Sequence, residues 1–237
     1  MVWIIHPKLH QVIRDSVEWV KDKRFRNKDI KIEDTILVSG SARSGTTWLM
    51  NVLNTLDGYS SLFEPFNSEW FPQIKEIGFT PDFYLSPEDE WKEGEDYFNK
   101  LFSGKIKSYK AHFDIHPKNI GNRLFSDKLL IKIIRGNKIL PWIGNNFDLR
   151  GTIYFIRHPC AVIASQLRTG VHREPMPTEE EILEEIEKID IIDEEIVNDL
   201  EGELFTKERK LAAIWSIDNF VSLYYRDHDF FLTVKYE

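Results

Sequence analysis

Short apolar runs bounded by turn residues recur along this chain, with stretches of helical periodicity between them. Thr35-Ile36-Leu37-Val38-Ser39 is one such run, closed by Gly40. Leu62–Phe66, Ser108–Phe113, Leu129–Ile134, Thr152–Ile156 and Phe230–Val234 are others. Runs this short suit buried strands. Between them, Thr46–Leu56 puts Trp48, Leu49, Val52, Leu53 and Leu56 on one broad helical face. Asn137–Phe147 predicts a short helix with Pro141 in its first turn, and Cys160–Arg168 a helix opening just after Pro159. Apolar residues at Ile182, Ile186, Ile189, Ile192, Ile196 and Leu200 predict one amphipathic helix over Glu179–Leu200, and Lys207–Asp227 predicts another. Strands joined by helical crossovers imply α/β class: a mainly parallel sheet with helices on both faces.

A chain of 237 residues is long enough for one large domain. It buries roughly 70% or more of its unfolded surface, so it needs no disulfide or metal staple. With Cys160 the lone cysteine, an internal disulfide and a cysteine-based zinc site are both excluded. Cys160 itself is expected to pack in its helix rather than act as a nucleophile. No apolar run reaches the ~18–20 residues of a membrane span. The apolar stretch of the opening MVWIIHPKLH is too short for a signal peptide. A cytoplasmic protein is expected. Residues 1–34 read as a polar lead-in with one amphipathic helix carrying Val12, Ile13, Val17, Trp19 and Val20. Residues 67–105 combine aromatics with turn formers and no long period, which predicts an irregular insertion with short helices, a cap on the substrate side.

The formal charge of −8 is unevenly placed. Thr178–Glu203 holds 13 acidic residues and one basic residue, Lys188, leaving the remainder of the chain at +4. A mildly basic remainder suits a small polyanionic ligand better than duplex DNA, so no nucleic-acid partner is expected.

The sharpest local signal is Gly40-Ser41-Ala42-Arg43-Ser44-Gly45-Thr46-Thr47, between a predicted strand and a predicted helix. Such a junction points backbone N–H groups at one spot, and the helix N-terminus adds about half a positive charge. The glycines allow close backbone approach, while Ser44, Thr46 and Thr47 add hydroxyls. Phosphate or sulfate is the fitting ligand. A nucleoside triphosphatase would read GxxxxGK[ST] here, with lysine where this chain has Thr46. The cation is instead Arg43, inside the loop. The strand Ile153–Ile156 ends in Arg157, where a magnesium-binding aspartate might be expected. Both departures favour a site that grips phosphates through protein donors, with no metal called for. A second anion site is expected at Arg157 and Ser165, which lies in the following helix. Arginine offers a bidentate fork and serine a short donor.

Together these segments resemble the sulfotransferase superfamily, which transfers a sulfuryl group from 3′-phosphoadenylyl sulfate (PAPS). SARSGTTW, Ser41–Trp48, is similar to the family loop around the donor's 5′-phosphosulfate. IYFIRHPCAVIASQL, residues 153–167, resembles the 3′-phosphate motif, with Arg157 and Ser165 on its anchor positions. Phe63-Glu64-Pro65 resembles the [YF]-E-P of carbohydrate-type members. The resemblance covers about residues 35–237. It implies a three-layer parallel sheet of P-loop NTPase-like type and PAPS as donor substrate, with a small-molecule or glycan acceptor. Ser41, Ala42, Arg43, Ser44, Gly45, Thr46, Thr47 and Trp48 would then bind the donor. Arg43 would sit on the phosphosulfate, and Trp48 would form an adenine-side wall. Lys235-Tyr236-Glu237 resembles the start of a family [RK]-Y-E-D-L element, so the family's C-terminal helices are expected to be missing from this 1–237 domain.

Sulfuryl transfer needs a base for the acceptor proton and positive charge for the leaving phosphate. Arg43 is the candidate for the second role. For the first, Glu64 stands at a strand end between Phe63 and Pro65-Phe66, where desolvation would raise its pKa. The rival is His112 in Lys110-Ala111-His112-Phe113, loosely similar to the K-[ST]-H-x-P strand end of cytosolic members. His112 and His116 show helical i, i+4 spacing, but no helix is predicted there, so a metal pair is not expected. The competing readings are a P-loop kinase or NTPase-like protein and a non-catalytic fragment that only binds the nucleotide.

Overall fold

The computed structural model describes residues 30–106, 126–170 and 175–237. The predicted lead-in helix and the predicted strand Ser108–Phe113 lie outside the described residues. A 3₁₀ turn, Ile32–Asp34, feeds strand β1, Thr35–Ser39. Then follow helix α1, Thr46–Leu53, and strand β2, Tyr59–Phe63. Helices α2, Gln73–Glu76, and α3, Lys92–Phe102, precede strand β3, Lys128–Ile133. A 3₁₀ turn at Asn137–Ile139 runs into helix α4, Leu140–Asn146, with Pro141 in its first turn as predicted. Strand β4, Gly151–Ile156, leads to helix α5, Pro159–Thr169. Helices α6, Glu179–Glu187, α7, Glu194–Leu200, and α8, Lys207–Tyr224, come before strand β5, Leu232–Lys235.

The five strands form one all-parallel sheet in the order β2-β3-β1-β4-β5. With helices around it, this is the expected α/β three-layer fold. Leu129, Ile131 and Ile133 of β3 face one core with Leu37, α3 and α4; Leu130 faces the other with Val38, Met50 and Tyr59. That alternation is why the strands are apolar throughout rather than every second residue. A third apolar cluster, including Ile182, Ile186, Ile214 and Ile217, joins α6 to α8.

Several boundaries differ from expectation. Strand β2 starts at Tyr59, so Phe66 falls beyond it and plugs the core against Phe79 and Phe98, 4.8 and 5.5 Å away between ring centres. On α1, Met50 is buried, whereas Trp48 and Val52 are exposed, as is Leu56 beyond the helix end. The predicted Glu179–Leu200 helix is two helices. The chain turns at Lys188–Asp193, with Ile192 N–H bonding Ile189 C=O, and Asp193 caps α7 through the Glu195 N–H. Ile182, Ile186 and Ile189 share the third cluster, and periodicity alone does not register the break that follows. Residues 67–105 carry short helices, as expected, and also contribute to the core. Phe71, Phe79, Trp91, Phe98 and Phe102 from this segment pack under the sheet with Trp142 and Phe147. Among the described residues, no helix is long and apolar enough to cross a membrane.

Candidate functional site

Because every strand is parallel, all carboxyl ends lie along one edge. The chain leaves β1 toward β2 on one side and leaves β4 toward β5 on the other. The adjacent ends of β1 and β4 are therefore the point where loops diverge and a crevice opens. The glycine loop follows β1 there, and Arg157 follows β4.

The loop 40–45 is a compact turn. Ser44 N–H and Ser44 Oγ both donate to Ser41 C=O, at 3.1 and 2.7 Å. Ser44 and Thr46 are buried, and Thr47 is exposed. Gly45 holds φ at 97°, and a side chain on it would lie 2.7 Å from the Tyr236 ring. A Cβ on Gly40 would approach Phe155 C=O to 2.3 Å. Both glycines are thus dictated by close packing, as well as by any ligand. Arg43 has φ 73°, and with Glu64 at 52° it completes the set of non-glycine residues at positive φ among the described residues. Such conformations cost of order 1–3 kcal/mol each and cluster at functional sites.

Beneath the loop lies a polar network that sequence reasoning missed. Ser41 Oγ donates to Asn219 Oδ1 at 3.0 Å, Tyr154 Oη donates to the same oxygen at 2.6 Å, and Asn137 Nδ2 donates to Ser41 Oγ at 3.4 Å. Ser39 Oγ donates to Asn137 Oδ1 at 2.7 Å. Buried asparagines in apolar surroundings need such partners, so Asn137 and Asn219 inside helical patterns were the available signal.

The two predicted anion sites meet. Arg43 Nε donates to Ser165 Oγ at 3.0 Å, and Arg157 Nη1 donates to Arg43 C=O at 3.4 Å. Gln166 Nε2 reaches Ala42 C=O at 3.4 Å. Two guanidiniums and a buried serine hydroxyl therefore meet beside the glycine loop. Arg157 also lies over the Tyr236 ring, 4.7 Å from its centre, and Tyr236 meets Trp48 edge-to-face at 6.1 Å. Tyr236 N–H continues the ladder to Ile156 C=O at 2.9 Å. One oxyanion is already present. The Glu237 carboxylate accepts from the His158 N–H and from Arg157 Nε, each at 3.1 Å, and these donors hold its pKa below the ordinary carboxylate range. The carboxylate stands where a phosphate oxygen pair would make the same two bonds, so the donor set fits an oxyanion.

Glu64 lies at the same edge, beyond the end of β2. Its N–H extends the ladder to Lys132 C=O at 2.9 Å, and its positive φ turns the chain so that Asn67 N–H closes on Glu64 C=O at 2.9 Å. Its carboxylate is almost fully buried, ion-paired to Lys132 and 3.4 Å from Arg135 Nη1. Burial pushes the Glu64 carboxyl above its ordinary range, against the pull of Lys132 and Arg135. The same burial pushes the Lys132 ammonium down. Lys132 also sits 4.2 Å from the centre of the Phe63 ring. The sequence pointed to Glu64 but not to this pair of cations. Lys132 reads as one polar residue in an apolar strand, and only the register, with Lys132 opposite Phe63, brings it there. His112 lies outside the described residues. Cys160 is exposed rather than packed, with its N–H on His158 Nδ1 at 3.3 Å. Among the described residues no group of three or more His, Cys, Asp or Glu side chains is placed to hold a metal.

No protein-family model matches the chain, and neither the curated proteins nor the solved structures include a significant match.

Proposed function

We propose that this chain is a sulfotransferase that moves a sulfuryl group from PAPS to a hydroxyl or amine of a small-molecule or glycan acceptor. The observation that carries the reading is the meeting of Arg43, Ser165 and Arg157 where the loops after β1 and β4 diverge. A nucleotide with anions at both its 3′ and 5′ ends needs a cation for each, and the neighbouring Arg43 and Arg157 are the candidates. Arg157, Ser165 and the His158 N–H would hold the 3′-phosphate, in place of the Glu237 carboxylate. The loop amides of 41–47 and Arg43 would hold the 5′-phosphosulfate. Trp48 and Tyr236 offer aromatic surface between the poles for the base.

In the transfer, the acceptor oxygen or nitrogen bonds to sulfur as the S–O bond to the 5′-phosphate breaks. The acceptor proton goes to a base, and the charge developing on the leaving phosphate is met by Arg43 and the loop N–H groups. Glu64 is the proposed base. A carboxyl pushed up by burial is a stronger proton acceptor than an exposed one, and the backbone turn at positive φ holds it at the sheet edge. Access to it runs past Arg135, whose guanidinium covers Oε2. Incubation with ³⁵S-labelled PAPS and a panel of phenols, amines and sugars tests the reading. Label appearing in product, with stoichiometric release of 3′-phosphoadenosine 5′-phosphate (PAP), is the expected result. PAPS binding without transfer to any acceptor class would leave only the nucleotide-binding alternative.

A further inference from the structure

Beside Glu64 the structure holds an open cavity of about 620 Å³, within the usual size of small-molecule sites. It sits at the ends of β2 and β3, two strands away from β4 along the carboxyl edge. Its lining includes the almost fully buried Phe66 and Phe79 together with exposed Pro81. Its charged side chains are Arg135, Lys75 and Glu69. Arg135 also contacts Glu64, whose charge is already met by buried Lys132. The lining therefore keeps a net positive charge.

We infer that this cavity binds a small hydroxylated carboxylate, its acid group held by Arg135 and Lys75 and its body against Pro81. Guanidinium matches a carboxylate in a two-bond fork, and a neutral analogue of the same shape loses that pairing. Glu69 repels an anion, so the two cations must outweigh it. The inference rests on the sulfuryl-transfer reading only in calling the ligand an acceptor. The preference for an anion follows from the lining alone.

Calorimetric titration with 4-hydroxyphenylacetate and with its neutral amide, 4-hydroxyphenylacetamide, tests it. The acid is expected to bind at least about tenfold tighter than the amide, since a charge-assisted pair contributes ~1.5–3 kcal/mol. Lys75→Gln, at an exposed side chain that leaves the Glu64 pair intact, is expected to reduce that preference several-fold with amide binding unchanged. Arg135→Gln is expected to reduce it further. Equal binding of acid and amide, binding of neither, or a preference that survives both substitutions would overturn the inference. A parallel titration with PAP separates the two claims. An acid preference without PAP binding sinks the donor reading and leaves this cavity as assigned. PAP binding without an acid preference does the reverse.

Discussion

Arg157 makes the donor reading testable at a single side chain. It bonds the Glu237 carboxylate, proposed to be replaced by the 3′-phosphate, and it also meets the Arg43 backbone and the Tyr236 ring face. Arg157→Ala is expected to weaken PAP binding by roughly 10- to 150-fold, the equivalent of ~1.5–3 kcal/mol, while AMP binding stays nearly constant. Equal losses for both nucleotides in a calorimetric titration would remove Arg157 from that role. Gly40 tests the loop's packing instead. A Cβ there meets a backbone carbonyl in the sheet, which cannot swing away as a side chain would. Gly40→Ala is expected to lower stability by about 1–3 kcal/mol in urea denaturation. An unchanged midpoint would show that the turn relaxes freely. At this scale the sequence was informative where chemistry is local. Gly40, Arg43, Gly45 and Arg157 could be singled out because a strand, a turn and a helix start are short-range features. The Asn137–Ser41–Asn219 network and the Lys132–Glu64 pair could not, because each joins residues far apart in the chain that only strand order brings together.

The acidic segment behaves as two elements hinged at Lys188–Asp193. It is fixed to the rest of the fold at points that periodicity does not reveal. Glu185 of α6 pairs with buried Lys138, next to Asn137 under the loop. Lys188 donates to Asp82 at 2.8 Å, and Tyr84 Oη donates to Asp190 at 2.6 Å. The hydrogen bond from Lys188 outweighs desolvation and holds the Asp82 carboxyl down at about 2, against an ordinary 3.8. Because the folded pKa is the lower one, this pair's stabilisation is present above about pH 4 and disappears as pH falls toward 2. The same bond raises the Lys188 pKa, so the contribution persists until the lysine deprotonates. Both side chains are substantially exposed, which limits the effect to ~0.2–1 kcal/mol. Lys188→Ala should therefore lower the urea midpoint slightly at pH 7, and by progressively less as pH falls through about 2. A difference that is constant across this range would mean that the bond contributes nothing. The Glu179–Leu200 prediction had the right apolar face as far as Ile189 and the wrong continuity, for Ile196 beyond the turn is exposed. Ile182, Ile186 and Ile189 keep helical spacing up to the turn, and the capping Asp193 looked like one more charge on a wet face.

For the whole molecule, the decisive fact is that five parallel strands put the loop after β1, Arg157 after β4, Tyr236 after β5 and Glu64 after β2 along one edge. The alternation of apolar runs with helical stretches made the class of fold legible. It did not give the order β2-β3-β1-β4-β5, which depends on which crossover passes over which strand. That order puts the Arg43–Ser165–Arg157 cluster at the centre of the edge and Glu64 at its flank. The aromatic residues of 67–105 help to cover one face of the sheet.

Calorimetric titration of the full chain with PAP, AMP and magnesium–ATP, in otherwise identical buffer, probes the two-pole cleft most directly. One PAP per chain, bound at least about tenfold more tightly than AMP for the added charge-assisted contacts and undiminished by a chelator, is the predicted result. Binding of magnesium–ATP with no measurable affinity for PAP would contradict it.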